Sequence, residues 1–316
     1  MGSGVCHCVM RVALLFPGQG AQRPGFLGRL PRHPAVQATL DEAARTLGRD
    51  PSGLDDALAL QSTVAVQLST VIAAVAAARA LLAEGVTPDA VAGLSVGAFA
   101  AAVTCGSVTF ADALRLVTLR AESMARAAPR GSGMTALLGL TERDASGLVA
   151  RVSERFPLYL ASVNAPSEVV VSGGEAALAA AAAESQAQGG SARRLQVAIP
   201  SHCPIMAGVS QALRDALAVL EVSPPQLPYV TNTRARVAAG AAEVAEDLSL
   251  NVSRTVRWHD SMTLLYELGC RLYIESLPGE VLSALVTAAF PEARAVALES
   301  VPLASAVTLA RRAPCP

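Results

Sequence analysis

Ala90-Val91-Ala92-Gly93-Leu94-Ser95-Val96-Gly97-Ala98-Phe99-Ala100-Ala101-Ala102-Val103 is the stretch that decides the fold. Its first three residues are short and apolar, as in a buried strand, and from Ala98 onward it has the Ala-rich composition of a helix start. Between them lies Gly93-Leu94-Ser95-Val96-Gly97, a G-x-S-x-G at a strand-to-helix turn. A serine there sits on a sharp bend with its hydroxyl exposed, and the glycines make room for the bend. The helix start that follows presents unpaired N–H groups to a developing negative charge. Two readings stand: a serine nucleophile for a carbonyl, or a Gly/Ser turn without chemistry. In a chain with 24 glycines the motif needs partners before the first is preferred.

Working outward, Val12 to Phe16 (VALLF) reads as a buried strand running into the loop Pro17-Gly18-Gln19-Gly20. Helices are expected near His33 to Leu47, Thr63 to Glu84 and Phe110 to Ala128. This alternation predicts an α/β fold, with an α/β-hydrolase-like parallel sheet covered by helices. The pattern changes between residues 131 and 199. Strands over Met134 to Leu140, Leu158 to Val163, Glu168 to Ser172 and Arg193 to Ala198 alternate with helices over Glu142 to Arg155 and Glu175 to Gln188. The order is βαββαβ, a ferredoxin-like small subdomain inserted into a large domain of residues 10–130 and 200–316. Further helices (Ile205 to Leu220, Arg257 to Leu268, Glu280 to Phe290) and strands (Tyr229 to Thr231, Leu272 to Glu275, Ala295 to Leu298) complete the sheet. Residues 1–9 read as an extension outside the fold.

The 316 residues are 52% hydrophobic and 16% charged, which suits a well-buried enzyme and argues against disorder. The net charge of −1 and 3% aromatic content point away from nucleic acid and from a charged membrane surface. The longest apolar run, Val64 to Ala78, is interrupted by Gln67, Ser69 and Thr70 and is short for a bilayer. Six cysteines without a secretory signal suggest a cytoplasmic protein with reduced thiols. Cys6-His7-Cys8 lacks a second ligand pair, so no metal is expected.

A serine hydroxyl needs a base. Of four histidines, His7 lies in the extension, His33 reads as a solvated loop residue, and His259 as a capping or packing residue. His202 stands in Pro200-Ser201-His202-Cys203-Pro204, where the inserted unit rejoins the large domain and two prolines pin the backbone. No Asp or Glu stands out to orient it, so a backbone carbonyl could do so. Val96 N–H and Gln19 are the candidate oxyanion donors. On a helix over Phe110 to Ala128, Arg120 falls near the centre of the apolar stripe formed by Leu116, Ala113, Val117 and Met124. A buried guanidinium must be paired, either with a protein carboxylate or with a substrate carboxylate gripped by two parallel bonds.

Phe16-Pro17-Gly18-Gln19-Gly20-Ala21-Gln22, the G-x-S-x-G, Arg120, Pro200-Ser201-His202, Val256-Arg257-Trp258 and Pro278-Gly279-Glu280-Val281-Leu282 together resemble a malonyl-CoA:acyl carrier protein transacylase, from Arg11 to about Arg312. The resemblance implies that Ser95 carries the malonyl ester, His202 is the base, Gln19 and the Val96 N–H hold the oxyanion, and Arg120 binds the malonyl carboxylate. It also implies that a backbone carbonyl near Arg257 orients His202. Malonyl-CoA would be the donor and a carrier-protein thiol the acceptor, with no bound cofactor. Typical fatty-acid enzymes read G-H-S-L-G-E around the serine. The form G-L-S-V-G-A here is similar to the malonyl transferase (epsilon) subunit of malonate decarboxylase, whose acyl carrier subunit would then be the partner.

Overall fold

The computed structural model describes residues 11–312, so the extension at residues 1–9, with Cys6, His7 and Cys8, lies outside the described residues. The strands are β1 (Arg11–Phe16), β2 (Ala90–Gly93), β3 (Ser132–Leu138), β4 (Leu158–Ala165), β5 (Glu168–Gly174), β6 (Ser191–Arg194), β7 (Tyr229–Val230), β8 (Cys270–Glu275) and β9 (Arg294–Ala297). The helices are α1 (Pro34–Leu47), α2 (Thr63–Ala83), α3 (Gly97–Thr104), α4 (Phe110–Ala127), α5 (Glu142–Ser153), α6 (Glu175–Ala187), α7 (Ala207–Ala218), α8 (Ala241–Leu250), α9 (Trp258–Glu267), α10 (Val281–Ala289) and α11 (Leu303–Arg312).

Five strands form a parallel sheet in the order β7-β2-β1-β8-β9. The chain leaves β1 toward β2 and β7, then returns to the other side of β1 for β8 and β9. Strand order therefore reverses at β1, and the carboxyl ends of neighbouring strands frame a crevice there. Loops carrying Gln19, Ser95 and Asn232 follow β1, β2 and β7 respectively. Glu275 at the end of β8 is fully buried and accepts the N–H groups of Leu282 (3.1 Å) and Ser283 (2.7 Å), tying the start of α10 to the same rim. Burial, opposed in part by these bonds, raises its carboxyl to about 7.

Helix α2 runs through the core, where Leu68, Val71, Ile72 and the Ala73 to Ala78 run are buried. It continues past the apolar run noted in the sequence, and its 21 residues have a mean hydropathy of 1.8 over the most apolar window. That window is 89% buried inside the protein, which accounts for the composition without a membrane.

The small sheet is antiparallel, in the order β4-β5-β3-β6. Its strands alternate between two faces. Leu137, Val169 and Val171 pack under α5 and α6. Met134, Ala136 and Val170 turn the other way and roof the crevice. β4 is tied to the loop between α8 and α9 by Val163 N–H to Val256 O and Val256 N–H to Ala161 O, both 2.9 Å.

Three local expectations are corrected. β6 covers Ser191–Arg194, not Arg193 to Ala198, because the Gly189-Gly190 turn puts Ser191 directly opposite Leu138. α8 is a helix where the sequence reading placed none. His33 is not a solvated loop residue: it caps α1, its Nδ1 accepting from Ala35 N–H at 3.1 Å, with Nε2 3.4 Å from Glu84. His259 stacks on Phe290.

Candidate active site

The bend at Ser95 depends on its two glycines. A side-chain carbon on Gly93 would lie 2.2 Å from the Gly97 carbonyl, and one on Gly97 would lie 2.2 Å from the Phe16 carbonyl oxygen. The turn is thus pressed against the end of β1, where Leu94 N–H also donates to Phe16 O at 2.9 Å. Ser95 itself has a φ of 55°, a left-handed conformation that a serine adopts only when held there. Its N–H donates to Asn232 Oδ1 at 2.9 Å, and its carbonyl accepts from Ala98 N–H at 3.1 Å and Asn251 Nδ2 at 3.4 Å.

The hydroxyl opens into a cavity of about 390 Å³ that it shares with His202, Arg120, Gln19, Met134 and Asn164. A wider groove of about 810 Å³, lined in part by Arg130 and Arg194, meets this cavity at Gln19. Val96 N–H lies at the N-cap of α3 and makes no hydrogen bond among the described residues. Gln19 Oε1 accepts from Thr63 Oγ1 at 3.2 Å, and the backbone N–H and side-chain NH₂ of Gln19 remain unengaged among the described residues.

His202 is 5% exposed and, like Ser95, has a positive φ, 61°. Its N–H donates to Val252 O at 2.7 Å, and its Nδ1 is hydrogen-bonded to the carbonyl of Asn251. A carbonyl only accepts, so Nδ1 carries the proton and Nε2 is left as the basic atom. Burial, and then the charge of Arg120, push the ring down to about 4, so it is neutral at pH 7. No hydrogen bond joins it to Ser95. Instead the serine oxygen accepts from Arg120 Nη2 at 3.1 Å.

Arg120 is 1% exposed. Nη1 donates to Gln67 Oε1 at 2.5 Å, and Nε is buried without a partner. Among the described residues no carboxylate forms an ion pair with it, and burial lowers it to about 9, still protonated at neutral pH. A buried guanidinium without a carboxylate partner, beside a serine on a strand-to-helix turn, has the chemistry to receive an anionic group.

A family model described as the acyl transferase domain matches residues 13–309. The chain belongs to that family. This acyltransferase is 33% identical over 280 residues to the malonyl CoA-acyl carrier protein transacylase of Salmonella typhimurium, a match covering 86% of this chain and 91% of that one. It is similar to the crystal structure of the acyl-carrier-protein S-malonyltransferase from Burkholderia pseudomallei, with a TM-score of 0.90, 32% identity and coverage of 95% and 100%. It is also similar to a malonyl-transacylase solved in complex with its type II PKS acyl-carrier protein, with a TM-score of 0.89, 30% identity and coverage of 95% and 98%.

Within the acyltransferase, Ser95, His202, Arg120, Gln19 and Val96 converge, whereas Arg257 does not orient the histidine. Arg257 N–H donates to Asn232 O at 2.7 Å, and its carbonyl accepts from Ser261 N–H at 3.0 Å in the first turn of α9. Its side chain bridges Glu142 at the start of α5 and Asp260. The carbonyl hydrogen-bonded to His202 Nδ1 is that of Asn251, at the C-terminus of α8, and the backbone of Arg254 also acts on the ring. Gln67, Asn232, Asp247 and Asn251 complete the site and were not singled out from sequence. The signal for Gln67 was present, as a polar interruption of a long apolar helix.

Proposed function

We propose that this acyltransferase moves a malonyl group from CoA to a carrier-protein thiol through a malonyl ester on Ser95. The observation that carries this reading is Arg120, which has a neutral partner on one side and the Ser95 oxygen on the other. A malonyl carboxylate fits that fork, and the names of the relatives agree with it. When the carboxylate takes both terminal nitrogens, the serine oxygen loses its Arg120 donor and its hydroxyl is free to turn to His202. Ser95 Oγ then attacks the thioester carbonyl and its proton passes to His202 Nε2. The oxyanion is held by the N–H groups of Val96 and Gln19. The C–S bond breaks, and CoA leaves as a thiol with the proton from His202. The acceptor thiol returns a proton to His202, attacks the ester, and Ser95 leaves reprotonated.

We assign the acceptor to the acyl carrier subunit of malonate decarboxylase and the reaction to the cytoplasm. The first rests on Leu94, Val96 and Ala98 around the serine, with Ala98 fully buried where a typical fatty-acid enzyme has a glutamate. The second is in keeping with the buried, unpaired thiols of Cys105, Cys203 and Cys270. Incubation with malonyl-CoA and mass spectrometry should find a malonyl adduct on Ser95 that is absent in Ser95→Ala. An adduct surviving in that variant would remove the nucleophile. Transfer from the loaded enzyme should favour the decarboxylase carrier, and preference for a fatty-acid carrier would replace that assignment.

A further inference from the structure

Asp247 is a buried carboxylate, 2% exposed, that acyl transfer itself does not use. Its Oδ1 accepts from the N–H groups of Asn232 at 2.7 Å and Thr233 at 3.4 Å. Its Oδ2 accepts from the Tyr229 hydroxyl at 2.8 Å and from Asn232 Nδ2 at 3.1 Å. The other end of the Asn232 amide, Oδ1, accepts from Ser95 N–H at 2.9 Å. A backbone N–H can only donate and an ionised carboxylate can only accept, so the amide between them has one permitted orientation.

We propose that Asp247 is a positioning residue for the nucleophile. Acting through Asn232, it locks the amide so that the oxygen grips Ser95 N–H and holds the serine in its left-handed conformation. A flipped amide would set N–H against N–H and release the turn. The same helix ends at Asn251, which holds the His202 ring and reaches the Ser95 carbonyl. α8 thus sets nucleophile and base from one rigid element. The proposal rests on Ser95 being the nucleophile.

The test is Asp247→Asn, made alone and together with Asn232→Asp. The single variant puts an amide where only an acceptor fits. The double variant restores the polarity, because a carboxylate at position 232 accepts from Ser95 N–H and from the new amide at 247. Acylation of Ser95 by malonyl-CoA is followed by rapid-quench mass spectrometry, alongside KM and thermal unfolding. The single variant should acylate roughly ten- to a hundredfold more slowly, as expected for an unsatisfied buried donor. Its KM should stay near wild type, since Arg120 is untouched. The double variant should recover most of the rate. Unchanged acylation in Asp247→Asn overturns the proposal. So does a double variant as slow as the single, because general loosening of the core would not be repaired by exchanging the two groups. If the single variant does not fold, the double variant decides: soluble and acylating supports the lock, insoluble or inactive overturns it. Absence of any adduct on wild-type Ser95 would instead remove the acyl-transfer reading, and this role with it.

Discussion

Replacing Gln67 by Glu should turn a malonyl-selective site into an indifferent one. Gln67 is fully buried in α2, where its Nε2 donates to Thr63 Oγ1 and to Met124 Sδ and its Oε1 accepts from Arg120 at 2.5 Å. As a neutral acceptor it positions the guanidinium without cancelling its charge. A carboxylate there would form an internal ion pair, and a substrate carboxylate would then have to compete with it. Disrupting a buried ion pair costs about 3 kcal/mol or more. At about 1.36 kcal/mol per decade, kcat/KM for malonyl-CoA should fall roughly a hundredfold. Acetyl-CoA carries no carboxylate and should lose little. The assay is kcat/KM for each donor with one carrier thiol acceptor, together with the mass of the Ser95 adduct from an equimolar mixture of the two. An unchanged malonyl-to-acetyl ratio, or equal losses for both, would show that Arg120 is not the carboxylate receptor.

The pH response and the nucleophile turn give two further expectations. In the proposed mechanism His202 must be neutral to act as the base, and burial pushes its pKa down to about 4, so kcat/KM for acetyl-CoA should hold as pH falls through the usual histidine range and decline only on approaching that value. Removing the neighbouring charge with Arg120→Ala should move this acid limb upward. A wild-type limb at the ordinary histidine value would contradict the burial argument. Gly97→Ala should destabilise the fold by about 3 kcal/mol or more, read as a lower urea midpoint, because the added carbon would lie 2.2 Å from the Phe16 carbonyl oxygen. A variant of wild-type stability would mean that the turn can relax away from β1.

Much of this site was legible because its residues break local rules. Serine between two glycines marked the turn, and the structure gives the reason: each glycine is in contact with backbone. Arg120 stood out as a charge inside an apolar stripe, and its burial follows from helical spacing alone. The orienting carbonyl was misplaced at Arg257, six positions from Asn251, because every residue has a carbonyl, and nothing in a side-chain pattern says which one faces a ring 49 residues away. α8 carried weak cues: Gly240 at its N-cap, Glu243 in its first turn, and Val244 and Leu248 four apart and buried. Its Ala- and Glu-rich composition lacks the strong stripe that marked α4. β6 was displaced because Leu195 and Val197 alternate like strand residues while packing beneath the small sheet from a loop.

The residues that escaped notice share one property with those that did not. Gln67, Arg120 and Asp247 are each a polar group buried on a helix, on α2, α4 and α8. Periodicity can report that such a group is inside, but its partner depends on topology. The reversal of strand order at β1 gathers the ends of β1, β2 and β7 into one crevice. There Gln19 bonds Thr63, Thr63 bonds Gln67, Gln67 bonds Arg120, and Arg120 reaches Ser95. From the other side Asp247 reaches Ser95 through Asn232. An isolated buried polar residue is costly, so each of these positions already demanded a partner. Reading the unexplained polar residues of the apolar helices as one set, and asking which strand ends could bring them together, would have recovered Gln67 from the sequence. Asn232 and Asn251 would still have escaped, since an asparagine in a loop reads equally well as a turn residue exposed to water.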